Sequence, residues 1–484
     1  MVLGPTGAGK SALVERLAGP RTGLAGSLGV AWAGDAAFLD PPGHPDLGVW
    51  VTAALRAADA ALFVVPSGVG LSPMTVELWR RCADLGLPRL VAVSHLDADT
   101  ADLDETVALC DRLFGDEVVP THLPLYAGEP GRPGAPVGVI ELASGNLRDY
   151  SGPAPSVRAA DPEHLDLIAD ARADLLEAVA SASTDDELFA RYLGGDLAPD
   201  EVLAALAAAV ASGAVHPVVP VVPATGVGCL ELAELLSAVV ASLPVAPGPE
   251  AHVDGRLIAP LSPDPHAPLV AELIGRLPIT TLVRVLSGTL RSGEVAVTGG
   301  ESAAHVHVDI AAGPGAVVAV RGLDDVRVGA TLSAPARPVT LGPWPLAGAP
   351  FPLGIIDEPR IRPVWLDDPS LVIPPDGEVW CVGAEHAAVV LARLRALAPE
   401  AAVRDVVGDG PDSTVRLRLT VPAAALGTVA RRLRTDALRP DSSEPQADGG
   451  TGVTIDVPRT LLRQLVADVR AATDGTVHIE RSPG

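Results

Sequence analysis

The chain has 484 residues, 48% of them hydrophobic, with a mean hydropathy of +0.33, which is material for about two to four domains with cores of their own. A net charge of −25 excludes a generic nucleic-acid binder, which needs basic patches against phosphate, and no apolar run reaches the roughly 18 residues of a membrane span. Ten Arg meet nine acidic residues in 411–484, so any RNA contact is expected to use local clusters such as Arg431, Arg432 and Arg434, which read equally as a solvated helix face.

The first element is Gly4-Pro5-Thr6-Gly7-Ala8-Gly9-Lys10-Ser11, a complete G-x-x-x-x-G-K-[ST] phosphate loop. Lys10 is the only lysine; a GC-rich coding bias explains its rarity elsewhere, but not its retention here. Glycines let backbone N–H groups converge on phosphate oxygens, a compact ammonium reaches the outer phosphates, and a hydroxyl holds Mg²⁺. Residues 11–17 read as a helix whose N-terminus faces the phosphates. Only three residues precede Gly4, where a strand of about five or six should feed the loop, and the reading is a start assigned too far downstream. Met1-Val2-Leu3 is neither a signal nor a transit peptide.

Leu28 to Asp40 is predicted to be a hairpin centred on Gly34-Asp35. Asp40-Pro41-Pro42-Gly43-His44 follows at a strand end, where a carboxylate can hold Mg²⁺ through water, a glycine N–H can sense the terminal phosphate, and a polar residue can orient the attacking water. The alternative reading of His44 is an exposed turn histidine. Apolar runs at 61–65, 90–93 and 218–222 read as parallel strands covered on both faces. Between them, about 118–217 breaks the alternation with a Gly/Pro-rich stretch and a helical pattern through Leu165, Ile168, Leu175, Leu176 and Val179. Cys82, Cys110, Cys229 and Cys381 form no metal or redox spacing and read as single buried thiols in a reducing cytoplasm.

A proline-rich join at 244–249 opens a second unit, with strand patterns such as 281–285 and 315–320 between glycine turns, as in a small β-barrel. Prolines from 335 to 352 mark another boundary. The last segment reads strand 415–421, helix 423–433, a weak strand, strand 453–457, helix 460–471 and strand 477–480, a split βαβ sandwich.

The order of these signals resembles translational GTPases, and elongation factor G in particular, over nearly the whole chain. The resemblance rests on Asp40-x-Pro-Gly43-His44, on Trp79-Arg80-Arg81 through Ser94-His95-Leu96-Asp97, and on Glu187-Leu188 through Arg191-Tyr192-Leu193-Gly194-Gly195. Arg284 to Leu290 with Gly293, Asp367-Asp368-Pro369 and Gly383-Ala384-Glu385-His386 extend it. It implies a multidomain α/β protein: a P-loop GTPase domain over 1–248 with an insertion at about 118–217, a translation-factor β-barrel over 249–342, and two α+β (ferredoxin-like) units, third-domain-like over 343–410 and fifth-domain-like over 411–484.

The resemblance further implies GTP and Mg²⁺ as ligands. Gly4, Gly7, Ala8, Gly9, Lys10 and Ser11 would cradle the phosphates, Ser11 and Asp40 would hold the metal, Gly43 would belong to the second switch and His44 would position water. Asp97 would read guanine, although as a residue it also fits a helix N-cap; His95 would lie beside the base, with Ala224 and Thr225 at its O6. The implied partner is the ribosome, through rRNA and proteins at the factor-binding site, with no membrane or DNA partner and a monomeric cytoplasmic protein.

The chain departs from that pattern in three further places. Ser94 and His95 replace Asn and Lys in the base-reading motif, so weaker guanine affinity is expected, a serine being too short for the contacts of an amide. The span from Ser11 to Asp40 lacks the first-switch threonine, with Thr22 a weak substitute, which costs catalysis more than binding. Only about Val406 to Ser413 stands where the family carries its fourth domain. The reading is therefore a ribosome-associated, weak or ribosome-stimulated GTPase that is not a full translocase. The alternatives are a degenerate, non-hydrolysing ribosome-binding or regulatory protein, and a truncated product without activity.

Overall fold

The computed structural model describes the chain apart from residues 35, 116–117, 128–133, 184, 195–196, 244–248, 254–255, 259, 294, 299–301, 343, 345–350, 356–357, 374–377, 383, 398–413, 422–425, 436–437, 446–449, 459–460, 462–464, 466–468, 470–476 and 482–484. The chain divides into two compact units, Met1–Pro345 and Leu346–Gly484. Among the described residues, no helix is long and apolar enough to cross a membrane.

The first unit is built on a five-stranded parallel sheet, in the order Val2–Leu3, Ala61–Pro66, Arg89–Ser94, His216–Pro220, Val118–Pro120. Successive side chains of a strand point to opposite faces, and each face has its own core. Leu62, Val64, Leu90, Ala92 and Val219 pack with Leu13, Val14, Leu232 and Leu235 of helices Lys10–Ala18 and Cys229–Ser242. Phe63, Val65, Val91, Val93 and Val218 pack with Trp79, Cys82 and Cys110 of helices Pro73–Asp84 and Leu103–Phe114. Trp79 stacks on Phe114 with ring centroids 4.0 Å apart. This two-sided burial is why the strands read as unbroken apolar runs.

Strands Gly29–Ala33 and Ala36–Asp40 form the expected hairpin, pairing Gly29 with Asp40 and Ala33 with Ala36. Its Asp35 lies outside the described residues. Residues 122–159 add a separate antiparallel sheet of four strands. The long helical pattern resolves into Pro162–Leu167 and Ala169–Ala182, followed by helices Asp186–Gly194 and Pro199–Ala211; Gly195 lies outside the described residues. The added sheet is tied to helix Cys229–Ser242, with Arg148 reaching Glu231 at 3.0 Å and Glu234 at 2.9 Å, and the Tyr150 hydroxyl donating to Glu231 at 2.7 Å.

After a small antiparallel sheet ordered Arg256–Leu257, Ala251–Val253, Thr340–Leu341, this unit holds an antiparallel six-stranded sheet in the order Ser302–His305, Val295–Thr298, Thr331–Ser333, Val270–Arg276, Thr281–Ser287, Val317–Val320. The bridge from His307 to Arg321 joins its two edges, so the sheet curls back on itself. It packs against helix Gly48–Ala57: Arg56 makes paired hydrogen bonds to Glu272 at 2.8 and 2.9 Å, and Arg284 pairs with Asp59.

The second unit holds two cores. Strands Phe351–Ile355 and Glu378–Cys381 pair antiparallel and share apolar contacts with helices Glu358–Asp367 and Ala384–Leu397. Beneath them, buried His386 donates from Nε2 to Asp368 at 2.7 Å while its Nδ1 accepts from the Val382 N–H at 3.1 Å. Burial raises the Asp368 carboxyl, but the His386 imidazole and Ser370 beside it outweigh that and hold it below the usual carboxylate range. The other core lies on a sheet ordered Pro440–Pro445, Thr451–Pro458, Thr414–Val421, His478–Arg481, with helix Leu426–Thr435 packed on it. The start expected for that helix, 423–425, and most of 460–471 lie outside the described residues. Arg431 and Arg434 are exposed on the helix.

The four cysteines are buried. Burial pushes the thiols of Cys82, Cys110 and Cys229 up to about 12, which makes them unreactive.

Candidate nucleotide site

The loop leaves strand Val2–Leu3 at Gly4, whose φ of +143° and close approach to Val64 admit no side chain: a Cβ would lie 2.4 Å from the Val64 carbonyl oxygen. It ends at Gly9, the left-handed N-cap of helix Lys10–Ala18, so the unpaired N–H groups of the first helical turn face the loop. Lys10 is buried and its Nζ donates to the carbonyls of Gly4 and Pro5, each at 2.8 Å. Burial lowers the pKa of its ammonium, and the nearby Asp40 opposes the shift.

The hairpin delivers Asp40 to the same place. Ser11 Oγ donates to Asp40 Oδ2 at 2.7 Å, and the Arg21 guanidinium lies 3.2 Å from that oxygen. Burial raises the Asp40 carboxyl, against the pull of Ser11, Arg21 and Lys10. Asp40 Oδ1 is buried without a hydrogen-bond partner among the described residues. A hydroxyl and a carboxylate with a spare buried oxygen suit Mg²⁺, which keeps few protein ligands and completes its shell with water and phosphate. The residues present therefore fit the metal.

Gly43 lies against the loop. A Cβ there would come 2.6 Å from Lys10 Nζ, 2.8 Å from the Thr6 nitrogen and 2.9 Å from the Gly4 oxygen. His44 is exposed, at the turn leading into Pro45–Leu47, and its Nδ1 accepts from the Asp46 N–H at 3.3 Å. Nε2 is left as the ring nitrogen open to a ligand.

On the far side of the loop, buried Ser94 donates from Oγ to the Ala8 carbonyl at 2.9 Å, so the serine does brace the loop across the sheet, at one contact rather than the several an amide offers. His95 has φ +56°, the one non-glycine residue with positive φ among those described, a strained setting typical of ligand-facing turns. Asp97 is exposed, and the next helix is capped instead by Asp102, whose side chain accepts from the Glu105 N–H at 2.8 Å. That removes the capping explanation for Asp97. Ala224 and Thr225 lie in the turn closed by the Val222–Val227 bridge, and Arg16 of the loop helix reaches the Thr225 carbonyl at 3.4 Å.

The structure thus brings Lys10, Ser11, Asp40 and Gly43 together, with Ser94 behind them. It does not bring Thr22 into that group: Thr22 exchanges both backbone hydrogen bonds with Val30, at 2.8 Å each, and its side chain is exposed. Its neighbour Arg21 arrives instead. Arg21 and Arg16 carry no motif, and only the fold exposes them as part of the site.

Residues 34–245 match the elongation factor Tu GTP binding domain family. The chain is 31% identical over 409 residues to an elongation factor G-like protein of Mycobacterium tuberculosis, covering 74% of this chain and 56% of that protein. It is 29% identical over 400 residues to elongation factor G 2 of Geobacter metallireducens, with the same coverage, 74% and 56%. The chain thus spans about half the length of the curated relatives it matches. A crystal structure of a protein from Thermus thermophilus is similar with a TM-score of 0.62, at 19% identity, covering 100% of this chain and 96% of that one.

Proposed function

We propose, from the match of residues 34–245 to the elongation factor Tu GTP binding domain family and the similarity of the chain to elongation factor G-like proteins, that it binds GTP at the Gly4–Ser11 loop and hydrolyses it on the ribosome as an auxiliary factor. The observation that carries the reading is the convergence of Lys10, Ser11, Asp40 and Gly43 on one loop.

In this reading the N–H groups of the loop and helix start hold the phosphates, and Lys10 exchanges its two carbonyl partners for phosphate oxygens. Ser11 and Asp40 hold Mg²⁺, which when bound neutralises charge on the phosphates. His44 orients water from Nε2. Ala224 and Thr225 meet the guanine O6, and Asp97 accepts from guanine N1 and N2, with His95 alongside.

The barrel-like sheet corresponds to a translation-factor second domain, and the two α+β bodies of the second unit to ferredoxin-like third and fifth domains. Only residues 406–413 stand where a fourth domain belongs, and these lie outside the described residues. A stretch of about eight residues reaches at most roughly 28 Å and carries no folded body, which favours a regulatory role over full translocation. The factor is monomeric and cytoplasmic. A second reading, a ribosome-binding protein without turnover, is favoured by one observation: a guanidinium, not a threonine hydroxyl, approaches Asp40.

Binding depends on Lys10 in this account, because no other ammonium side chain exists in the sequence. Lys10→Ala is expected to weaken GDP and GTP binding at least about tenfold, or ~1.4 kcal/mol. Calorimetry checks it, and equal affinities would mean that the loop is vestigial.

A further inference from the structure

We propose that Arg21 is a built-in cation of the phosphate site, which lets this protein hold a nucleoside diphosphate without Mg²⁺. The inference rests on the nucleotide-binding reading above and goes beyond it.

Asp40 creates the need. Its carboxylate is almost fully buried beside the loop, where Ser11 Oγ and Arg21 meet its Oδ2. When no metal neutralises it, that charge repels an incoming phosphate, and the repulsion is strong where water is scarce. A guanidinium is always charged and presents a planar fork that serves a carboxylate and a phosphate together, which an ammonium does not.

The backbone around Arg21 is arranged to keep it there. The following residue, Thr22, is locked to Val30 by two backbone hydrogen bonds of 2.8 Å. The Arg21 stem lies across Gly29: a Cβ at position 29 would fall 2.7 Å from Arg21 Cδ, 3.1 Å from Cγ and 2.6 Å from Nη1. Gly29 is itself the hairpin partner of Asp40, so the residue that makes room for the arm is paired with the residue the arm meets. The Arg21 side chain is 36% exposed against 2% for Asp40, so it can turn toward phosphate without leaving a cavity.

The test is GDP affinity of the full chain, measured with a fluorescent GDP analogue in excess Mg²⁺ and in EDTA. Each compared with its own affinity in Mg²⁺, the wild-type protein is expected to lose less than about fivefold on metal removal, and Arg21→Ala more than about twentyfold. Gly29→Ala keeps the charge but displaces the arm, and is expected to follow Arg21→Ala; Arg21→Lys should fall between. Equal losses in wild type and Arg21→Ala would overturn the proposal, as would a deficit in Arg21→Ala that is the same with and without Mg²⁺. If wild-type protein binds no GDP under either condition, the nucleotide reading itself fails and this proposal with it. A urea-unfolding midpoint equal to wild type in both variants excludes misfolding as the cause.

Discussion

Replacing His44 with alanine is expected to lower ribosome-stimulated GTP hydrolysis by about 10²–10⁴-fold, the range a positioned acid–base group contributes. The other side chains assigned to the phosphate and metal are already engaged: Lys10 with two carbonyls, Ser11 with Asp40, and Asp40 with Arg21. His44, next to Gly43 in the chain, is exposed, its Nδ1 turned to the Asp46 N–H. Gly43 fixes where it starts, because that residue is wedged against Lys10 and Gly4. Because the hydrogen bond of the His44 ring lies within its own turn, GDP affinity should stay within roughly twofold. Single-turnover hydrolysis and equilibrium binding on the same variant separate the two effects. An unchanged rate would remove His44 from the chemistry.

The second large effect concerns stability. Glu272 is completely buried at the join between helix Gly48–Ala57 and the curled sheet, where it accepts from Arg56 Nε at 2.8 and 2.9 Å and from the Trp344 indole N–H at 2.8 Å. Removing one member of such a pair leaves an uncompensated buried charge, at a cost of about 3–5 kcal/mol. Glu272→Leu is therefore expected to destabilise the first unit by that amount in urea unfolding followed by tryptophan fluorescence. Because replacing both partners removes the stranded charge, Arg56→Leu combined with Glu272→Leu should recover most of the loss. A single-variant loss under about 1 kcal/mol would place the pair among weak surface contacts. The same helix follows closely on His44, so its anchorage to the sheet also steadies the segment that carries the histidine.

What was legible in the chain was legible for physical reasons. The strands Ala61–Pro66 and Arg89–Ser94 announce themselves because both faces are buried, leaving no polar alternation to confuse with a helix. The hairpin reads from Gly34 because a tight turn needs that residue type. The phosphate loop reads because glycine spacing and a lone lysine are local. The Arg21–Asp40 contact was not legible, since it depends on the register that sets Gly29 opposite Asp40. Nor was the Ser94 bond to Ala8, which spans two strands of the sheet. The buried Asp368–His386 pair falls on two segments read for their resemblance, yet its contacts explain those residues structurally, as an imidazole hydrogen-bonded to a buried carboxylate. Ile168, read as part of one long helix, instead sits where the chain breaks between two.

GTP turnover by this chain, as proposed, requires a ribosome to present the second switch to the phosphate. The measurement is the rate of phosphate release from GTP by purified protein, alone and with ribosomes, in Mg²⁺. The expected result is a negligible rate alone, a rise of at least about tenfold with ribosomes, and suppression of that rise by competing elongation factor G. A vigorous rate without ribosomes, or none with them despite tight GTP binding, would contradict it.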